Sequence, residues 1–507
     1  MNRLIALRQH QRAPLPWEKV IAGILLTLGL LLRLRQYLTA RSLWLDEAML
    51  ALNIVQRDFG GLFQPLDYDQ GAPVGFLLVE KILVTLLGSH EFVLRLFPLL
   101  AGIASLGLFY LLLRRVASGI GMLTALALFA VGPELVYYAS EVKQYSVDVA
   151  VTIGLLLLSM PLFEGKTGRK AFVWLGCAGM LALWLSHPAL FALAGIGVSL
   201  VWMSASRRGR FLFLYMVYIG LAWLGTLGLL YFVSLRNLKD NTFLLGFWQE
   251  NFMPLPPWSE PGWFSGMFRG LAQNQVGVSL PAFFALALIL GWAFLWRRNR
   301  PLAVAILGIF VFALLASALR LYPLGGRLSL FMVPLMLALV GEFISVLQDK
   351  LHRWPAVGGI VALLAGASLL YSPASESLHN FVHPKYFEHI RPALANLSQN
   401  WQPGDALFVS NGAAPAYLFY AERYGLEQIA YHTGEAADYL DPEALARRLD
   451  PLRGNPRAWI LFSHVYERGD FNEKKFILAA LDDMGRKKRE FRTPGASVYL
   501  YLYDLSR

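Results

Sequence analysis

Long apolar runs, separated by short polar or basic connections, make up most of the first 372 residues. A helix needs about 20 predominantly apolar residues to cross a bilayer, and runs of about this length occur eleven times. They lie at 18–38, 92–113, 119–138, 147–163, 171–187, 189–205, 211–233, 279–296, 302–320, 328–347 and 355–372. The pattern therefore predicts a polytopic α-helical membrane protein with about eleven transmembrane helices.

One further apolar run, residues 72–88, does not fit as a span. Glu80 and Lys81 lie in its middle, and counting it as a span would invert the sidedness of every later connection. We predict that it forms a helix in the outer membrane interface, with its apolar face toward the lipid. The first external loop then extends from about residue 39 to residue 91.

After residue 372 the pattern changes to alternating helical and strand-like segments. Helices are predicted at 386–398, 415–424, 442–450 and 470–484, and strands at 406–410, 428–431, 457–462 and 497–503. Such alternation is typical of a small α/β domain with a largely parallel sheet. No glycine-rich phosphate loop is present, so a nucleotide-binding fold is not indicated. We therefore predict two domains, residues 1–372 and 373–507.

The composition agrees with a membrane protein, since 56% of the residues are hydrophobic and 16% are charged. The net charge of +11 does not indicate nucleic-acid binding, because the basic residues cluster in alternate connections between apolar runs. These basic residues are Arg3, Arg8, Arg12, Lys19, Arg114, Arg115, Lys166, Arg169, Lys170, Arg207, Arg208, Arg210, Arg297, Arg298, Arg300, Lys350 and Arg353. The positive-inside rule then predicts a multi-pass protein of the cytoplasmic (inner) membrane, with a cytoplasmic N-terminus and an external C-terminal domain.

Acidic and basic side chains recur on the predicted outer side. Asp46 and Glu47 directly follow the first span, where a solvated loop end is the alternative to a functional pair. Glu141 and Lys143 lie between the third and fourth spans. They either pair structurally, with each other or with Arg95, or face a polar cavity in which the lysine binds a phosphate as a point charge.

Three other connections on this side also carry candidate residues. His187 is either a hydrogen-bonded turn residue or a contact for phosphate or a metal. Arg320 and Arg327 flank two glycines; guanidinium groups suit bidentate phosphate recognition, and snorkelling toward lipid headgroups is the alternative. The aromatic-rich loop 234–278 is either part of the interfacial belt or a platform for lipid or sugar.

The combination of carboxylates and cations on one membrane face suggests a reaction class. A carboxylate can act as general base toward an acceptor hydroxyl, and cations can stabilise a departing phosphate. The residues that could do so are Asp46, Glu47, Glu141, Lys143, Arg320 and Arg327. They suggest transfer from a phosphate-linked lipid donor.

On these motifs, residues 1–372 resemble the polytopic C-type (GT-C) glycosyltransferases, in particular the bacterial branch related to protein O-mannosyltransferases and to the aminoarabinose transferase of lipid A. The first shared motif is the Asp-Glu pair that opens the first external loop. The others are a proline-to-lysine segment with altered spacing (Pro73 to Lys81), Glu-x-Lys-x-Tyr (Glu141 to Tyr145), and an arginine followed by apolar residues and a proline (Arg327 to Pro334). The order and sidedness of these motifs carry the resemblance.

The resemblance implies an inverting transfer of sugar from a polyprenyl-phosphate donor to an extracytoplasmic acceptor, which is a lipid, glycan or protein. The implied catalytic residues are Asp46 as general base, with Glu47 and Glu141 as supporting acids. The implied ligands of the donor phosphate are Lys143, Arg320, Arg327 and His187. The implied substrate-positioning residues are Tyr145, Lys81 and Tyr322. Some members of the family need a divalent cation such as Mg²⁺ or Mn²⁺ and others do not, and the spacing of Glu141 and His187 does not decide this.

Two other function classes remain as alternatives. A transporter or flippase for polyprenyl-linked lipids is expected to carry polar residues through the bilayer and a repeat that relates two halves. Here the polar residues cluster at one face, and the sequence shows no such repeat. A membrane-anchored binding protein is the third interpretation, and it ranks last because the turn at 410–412 carries no concentrated charge.

Overall fold

The computed structural model describes residues 15–166, 168–207, 210–351, 354–435, 441–493 and 497–506. The chain forms two compact units. The membrane unit comprises Met1–Thr39, Phe59–Gly88 and Phe92–Pro384, and the sheet unit comprises Ala40–Asp58, Ser89–Glu91 and Lys385–Arg507. Several basic residues that entered the orientation argument lie outside the described residues, namely Arg3, Arg8, Arg12, Arg208 and Arg353.

Helices account for most of the described chain. In chain order they are α1 (Pro16–Leu38), α2 (Leu45–Gln56), α3 (Val74–Leu87), α4 (Glu91–Leu94), α5 (Leu96–Val116), α6 (Gly119–Val131), α7 (Pro133–Tyr137), α8 (Tyr145–Phe163), α9 (Arg169–Leu185), α10 (Ala189–Arg207), α11 (Arg210–Leu230), α12 (Arg236–Lys239), α13 (Thr242–Phe247), α14 (Pro261–Gly270), α15 (Pro281–Arg298), α16 (Arg300–Ala318), α17 (Val333–Lys350), α18 (Pro355–Val382), α19 (Arg391–Asn400), α20 (Ala414–Tyr420), α21 (Pro442–Arg447) and α22 (Glu473–Met484). Two π-helical turns, Tyr231–Leu235 and Leu271–Val276, continue α11 and α14.

Among the described residues, seven helical stretches are long and apolar enough to cross a membrane, or eight if the bent pair α6 and α7 is one span. They are Leu96–Val116, Tyr145–Phe163, Phe213–Lys239, Pro281–Arg298, Arg300–Ala318, Gly326–Lys350 and Pro355–Val382. These helices confirm a multi-pass membrane protein. The other three of the eleven predicted spans coincide with α1, α9 and α10, which fall outside this set in the described part of the chain. Helix α9 has 17 residues, which is short for a bilayer crossing.

The apolar run at 72–88 forms helix α3, which has 14 residues. Its length is too short for a full span, and its position in the interface stays a prediction. Glu80 is fully buried, and within the described chain neither carboxyl oxygen has a hydrogen-bond partner. Burial raises the pKa of the Glu80 carboxyl well above its usual range. This shift favours the neutral form of the carboxyl, which an apolar helix accommodates more easily than a carboxylate.

Small residues let the helices of the membrane unit approach closely. A Cβ atom on Gly308 of α16 would lie 2.8 Å from the Cα atom of Gly195 in α10. A Cβ atom on Gly195 would lie 2.5 Å from the carbonyl oxygen of Ala305. Close backbone contact of this kind is a common basis of helix association in membranes, where apolar burial gives little advantage over lipid.

A buried arginine and a serine stabilise the break between α6 and α7, which are bent by 52° relative to each other. Pro133 begins α7 and has no N–H to continue the helix, so the last carbonyls of α6 need other donors. Arg33 of α1 donates to the carbonyl oxygens of Ala130 at 3.2 Å and Phe129 at 3.3 Å. Ser377 of α18 donates to the carbonyl oxygen of Val131. These contacts hold the helix break that precedes Glu141.

The sheet unit contains a five-stranded sheet and a two-stranded ribbon. The strands are β1 (Ala406–Val409), β2 (His432–Thr433), β3 (Ala458–Phe462), β4 (Glu467–Arg468), β5 (Phe471–Asn472), β6 (Arg486–Arg492) and β7 (Tyr499–Asp504). The order in the larger sheet is β2-β1-β3-β7-β6. Strand β1 is parallel to β2 and β3, with Phe408 opposite Ile460, whereas β7 is antiparallel to β3 and β6. Strand β3 is buried along its whole length.

The sheet differs from the sequence-based expectation in two respects. It is mixed rather than largely parallel, because β7 pairs antiparallel with both β3 and β6. Strand β6 was not predicted, since its sequence Arg-Lys-Lys-Arg-Glu-Phe-Arg has no apolar alternation, and it lies exposed at the sheet edge. The domain limit drawn at residue 372 falls inside α18, which continues to Val382.

Candidate functional site

The acidic pair lies in the sheet unit, although the sequence analysis assigned it to domain 1–372. Asp46 and Glu47 occupy the first turn of α2, within the segment Ala40–Asp58 that belongs to this unit. Asp46 is half-buried and Glu47 is fully buried. The free N–H groups and the dipole at a helix N-terminus favour negative charge, so this position suits two carboxylates.

Side chains from the C-terminal part of the chain hold the backbone that leads into α2. The N–H of Ser42 donates to Nδ1 of His389 at 3.2 Å, the N–H of Leu43 to the hydroxyl of Tyr420 at 2.9 Å, and the N–H of Leu45 to Oε2 of Glu388 at 2.9 Å. Arg391 donates to the carbonyl oxygen of Ala40. Backbone groups in an irregular segment need such partners when buried, and together they fix the position of α2 in the sheet unit.

A buried ion cluster lies next to this segment. Glu91 accepts hydrogen bonds from Arg423 at 3.0 and 3.1 Å and from the Tyr420 hydroxyl at 2.9 Å, and Arg391 lies 3.1 Å from the same carboxylate. Burial by itself would raise the pKa of Glu91, but a backbone hydrogen bond and the two guanidinium groups lower it below its usual value. Tyr420 therefore links the cluster to the N–H of Leu43.

In the membrane unit, the segment after α7 brings charged residues into a buried environment. Glu141 is fully buried, and Lys143 is 3% exposed. The Lys143 ammonium donates to Oε1 of Gln70 at 2.6 Å. Arg327 lies over the ring of Tyr145, with 5.7 Å from guanidinium carbon to ring centroid. Tyr145 thus lies near one of the predicted phosphate ligands.

His187 and Tyr322 occupy other connections of the same unit. Burial lowers the pKa of His187 to about 4, so the imidazole is neutral at pH 7. Burial also raises the pKa of Tyr322 well above its usual range, and its hydroxyl donates to the carbonyl oxygen of Leu328 at 2.8 Å. Asp148, at the start of α8, is hydrogen-bonded to Ser186 and interacts electrostatically with Tyr322.

Arg320 and Lys81, two further predicted site residues, are less buried than Glu141 and Lys143. Arg320 is exposed and has a positive φ of 55°, in contrast to the buried Glu141 and Lys143. Lys81 is half-buried on α3, where its backbone carbonyl accepts a hydrogen bond from the Thr85 hydroxyl at 2.7 Å.

Solved structures with a similar fold identify the fold of this chain. No family model and no curated protein matches the sequence. The apo structure of ArnT from Cupriavidus metallidurans superposes with a TM-score of 0.50 at 15% identity, covering 96% of this chain and 97% of that chain. The oligosaccharyltransferase AglB from Archaeoglobus fulgidus, in complex with an inhibitory peptide and a dolichol-phosphate, superposes with a TM-score of 0.52 at 11% identity, covering 97% and 75%. The chain has the GT-C fold. A further structure of the Archaeoglobus fulgidus oligosaccharyltransferase, with Zn and sulfate, gives 0.53 at 13% identity, covering 95% and 73%.

The GT-C fold confirms the predicted fold class, a polytopic helical membrane protein with a small C-terminal α/β domain. Within the described ranges, no group of three or more His, Cys, Asp or Glu side chains is arranged to hold a metal ion.

Several residues that shape these regions were missed in the sequence analysis. Arg33 lies inside an apolar run and Gln70 in a polar loop, and neither has a distinctive pattern around it. Glu388 and His389 lie just before α19, where no periodic pattern of apolar residues distinguishes them from other polar residues. His464 is the exception, since it follows a buried strand by two residues, and the carboxyl ends of strands in α/β sheets are common places for functional residues.

Proposed function

We propose that this protein transfers a sugar from a polyprenyl-phosphate donor to an extracytoplasmic acceptor, with inversion at the anomeric carbon. The observation that carries the proposal is the buried charged segment of Glu141 and Lys143, near Tyr145 and Arg327, in a membrane protein with the GT-C fold. Charged groups inside a membrane protein are costly and usually functional. The archaeal neighbour was solved with a dolichol-phosphate, which supports a lipid phosphate as ligand.

The proposed phosphate ligands follow from their charge. Lys143 provides a compact positive charge, and Arg327 provides a planar guanidinium group that can bind two phosphate oxygens. The positive charge of these groups would stabilise the lipid phosphate as it leaves the sugar. Because His187 is neutral at pH 7, its proposed contribution is a hydrogen bond to the phosphate rather than a charge. Arg320 remains a proposed ligand, with headgroup snorkelling as its alternative.

The proposed general base is Asp46. In an inverting transfer, the base removes the proton from the acceptor hydroxyl as the hydroxyl oxygen attacks the anomeric carbon, and the bond from this carbon to the phosphate oxygen breaks. Glu47 and Glu141 are proposed to position the sugar or the acceptor. Tyr145, Lys81 and Tyr322 are proposed to orient the substrates. Addition of a chelator, followed by Mg²⁺ or Mn²⁺, would determine whether transfer needs a cation.

The test is the release of polyprenyl phosphate from a panel of polyprenyl-phosphate sugars by the full-length protein in nanodiscs, with an extract that supplies acceptors. We expect Asp46→Asn to lower the transfer rate by about a thousandfold, because it removes the proton acceptor with little change in volume. Donor binding, measured separately, should be nearly unchanged. Asp58→Asn, at the end of the segment that carries α2, is the matched control.

The outcomes separate the function classes. Sugar-dependent release that Asp46→Asn abolishes supports the transferase and identifies the donor. Full activity in Asp46→Asn would refute Asp46 as the base. Movement of polyprenyl lipids across vesicles, without turnover of any donor, would favour the flippase. A tag-accessibility assay at both termini would test the proposed placement in the inner membrane, with the N-terminus in the cytoplasm and the sheet unit outside.

A further inference from the structure

Glu388 connects three parts of the sheet unit. It is 4% exposed, and both carboxylate oxygens accept hydrogen bonds. Oε2 accepts from the N–H of Leu45 at 2.9 Å and from the hydroxyl of Ser463 at 3.3 Å. Oε1 lies 2.7 Å from Nδ1 of His464. Since Leu45 is the first residue of α2, Glu388 joins the start of the Asp46 helix to the carboxyl end of strand β3.

The backbone around His464 is adapted to hold this residue in place. His464 has a positive φ of 51°, a conformation that few residue types adopt and that is often found at functional positions. A Cβ atom on Gly412 would lie 2.5 Å from the carbonyl oxygen of His464 and 2.7 Å from that of Ser463. Glycine at 412 therefore allows the turn after β1 to pack against the turn that carries His464.

The imidazole of His464 lies close to the start of α2. Its ring centroid lies 6.5 Å from that of Trp44, which immediately precedes the helix, and Trp44 also lies 5.2 Å from Phe387. The side chain is 45% exposed, and its Nδ1 contacts Glu388. Three carboxylates influence the ring electrostatically, namely Glu388, Glu473 and Asp46.

We propose that Glu388 and His464 are positioning residues for Asp46: Glu388 fixes the first turn of α2 through the N–H of Leu45, and the imidazolium of His464 favours the ionised form of the Asp46 carboxylate. The proposal rests on the proposed function of Asp46 as general base. The hydrogen bond to Glu388 raises the pKa of His464, which favours the charged form of the ring. The C-terminal part of the chain then acts on the reaction through the position and ionisation of Asp46.

The role of Glu388 can be tested without any sugar donor. Hydrogen exchange of peptides that span residues 40–50 is measured in the full-length protein for wild type, Glu388→Ala and the control Glu443→Ala, whose side chain is exposed. We expect severalfold faster exchange in Glu388→Ala, because the N–H of Leu45 loses its acceptor, and no change in the control. Unchanged exchange in Glu388→Ala would refute the positioning role, whether or not the protein transfers a sugar.

The role of His464 is tested through its charge. Histidine titration by NMR of the full-length protein, with the His464 signal assigned by its loss in His464→Asn, should show a lower His464 pKa in Asp46→Asn than in wild type. This shift follows because a nearby carboxylate stabilises the imidazolium, and the coupling is reciprocal. An unchanged His464 pKa would refute the electrostatic part of the proposal. This measurement also needs no turnover, so its outcome is distinct from failure of the proposed function.

The pH profile of transfer provides the catalytic readout. Asparagine adopts positive φ readily, so His464→Asn keeps the turn while removing the charge. On the acidic side of the profile, the rate falls as Asp46 becomes protonated. We expect the pH of this acid limb to be higher in His464→Asn by about half a unit to one unit, because Asp46 then protonates more easily. The control His432→Asn, on the exposed strand β2, should leave the limb in place. A lower rate at all pH values with an unmoved limb would indicate a merely structural role.

Discussion

Arg33 in the membrane unit and Glu91 in the sheet unit are both buried charged residues, and the two units stabilise them differently. Arg33 donates to neutral carbonyl oxygens, two at the end of α6 and that of Gly29 within its own helix. Glu91 accepts from two guanidinium groups and a phenol. The charge of Arg33 therefore serves the backbone at a helix break, whereas the charge of Glu91 is balanced by other charges. Only the stabilisation that the Glu91 cluster provides should therefore change with pH in the acidic range.

The largest expected effect on stability follows from removing Arg33. Arg33→Met keeps the apolar volume but leaves the carbonyls of Phe129 and Ala130 without their donor in a fully buried place. We expect a loss of about 2–4 kcal/mol in the free energy of unfolding, measured by reversible denaturation in detergent micelles. Arg33→Lys should lose less, because it retains a charge and one or two donors.

The control for Arg33 is Arg114→Met, which changes an exposed arginine at the end of α5. This variant should alter the free energy of unfolding by no more than about 0.5 kcal/mol. If Arg33→Met were as stable as Arg114→Met, the contacts of Arg33 with the carbonyls would not stabilise the helix break.

A smaller effect is expected for the ion cluster of the sheet unit. Glu91→Gln keeps the shape of the side chain and removes its charge. Because Arg391 and Arg423 are 23% and 40% exposed, they can regain water, and we expect a loss of about 1–2 kcal/mol in stability of the sheet unit. Thermal unfolding followed by limited proteolysis of this unit measures the loss. Glu422→Gln, an exposed carboxylate of the same unit, should cause no comparable loss.

The two units also differ in how much of them could be predicted from the sequence. Apolar runs showed where the helices of the membrane unit lie, and strand β3 was predicted because its residues are apolar throughout. The connection of residues 40–45 with His389, Tyr420 and Glu388 could not be predicted, because a bond from a backbone N–H to a side chain more than 300 positions away leaves no local pattern. For the same reason the sequence did not show that the segment of Asp46 belongs to the sheet unit.

The candidate site was predictable only in part, and the reason lies in how its residues are buried. Glu141 and Lys143 stood out because charges between apolar runs are unusual, and the structure shows that both are buried. Glu388 lies in a stretch of ordinary polar composition, where charged residues are common, whereas the only sequence signal of His464 is its place after the buried strand β3. The role of Arg33 could not be predicted, since its partners are backbone carbonyls that every residue possesses.

The comparison of Arg33 with Glu91 also predicts a difference in pH dependence. The pKa of Glu91 is lowered in the folded chain, so its contribution is fully present above the unfolded value of about 4.3 and is lost as the pH falls through the folded pKa. The difference in free energy of unfolding between wild type and Glu91→Gln should therefore shrink from pH 7 to pH 3. The corresponding difference for Arg33→Met should stay constant, because neither a guanidinium nor a carbonyl titrates in this range. If both differences in free energy of unfolding changed with pH in the same way, Glu91 would not be stabilised by charge pairing and Arg33 by backbone carbonyls as described here.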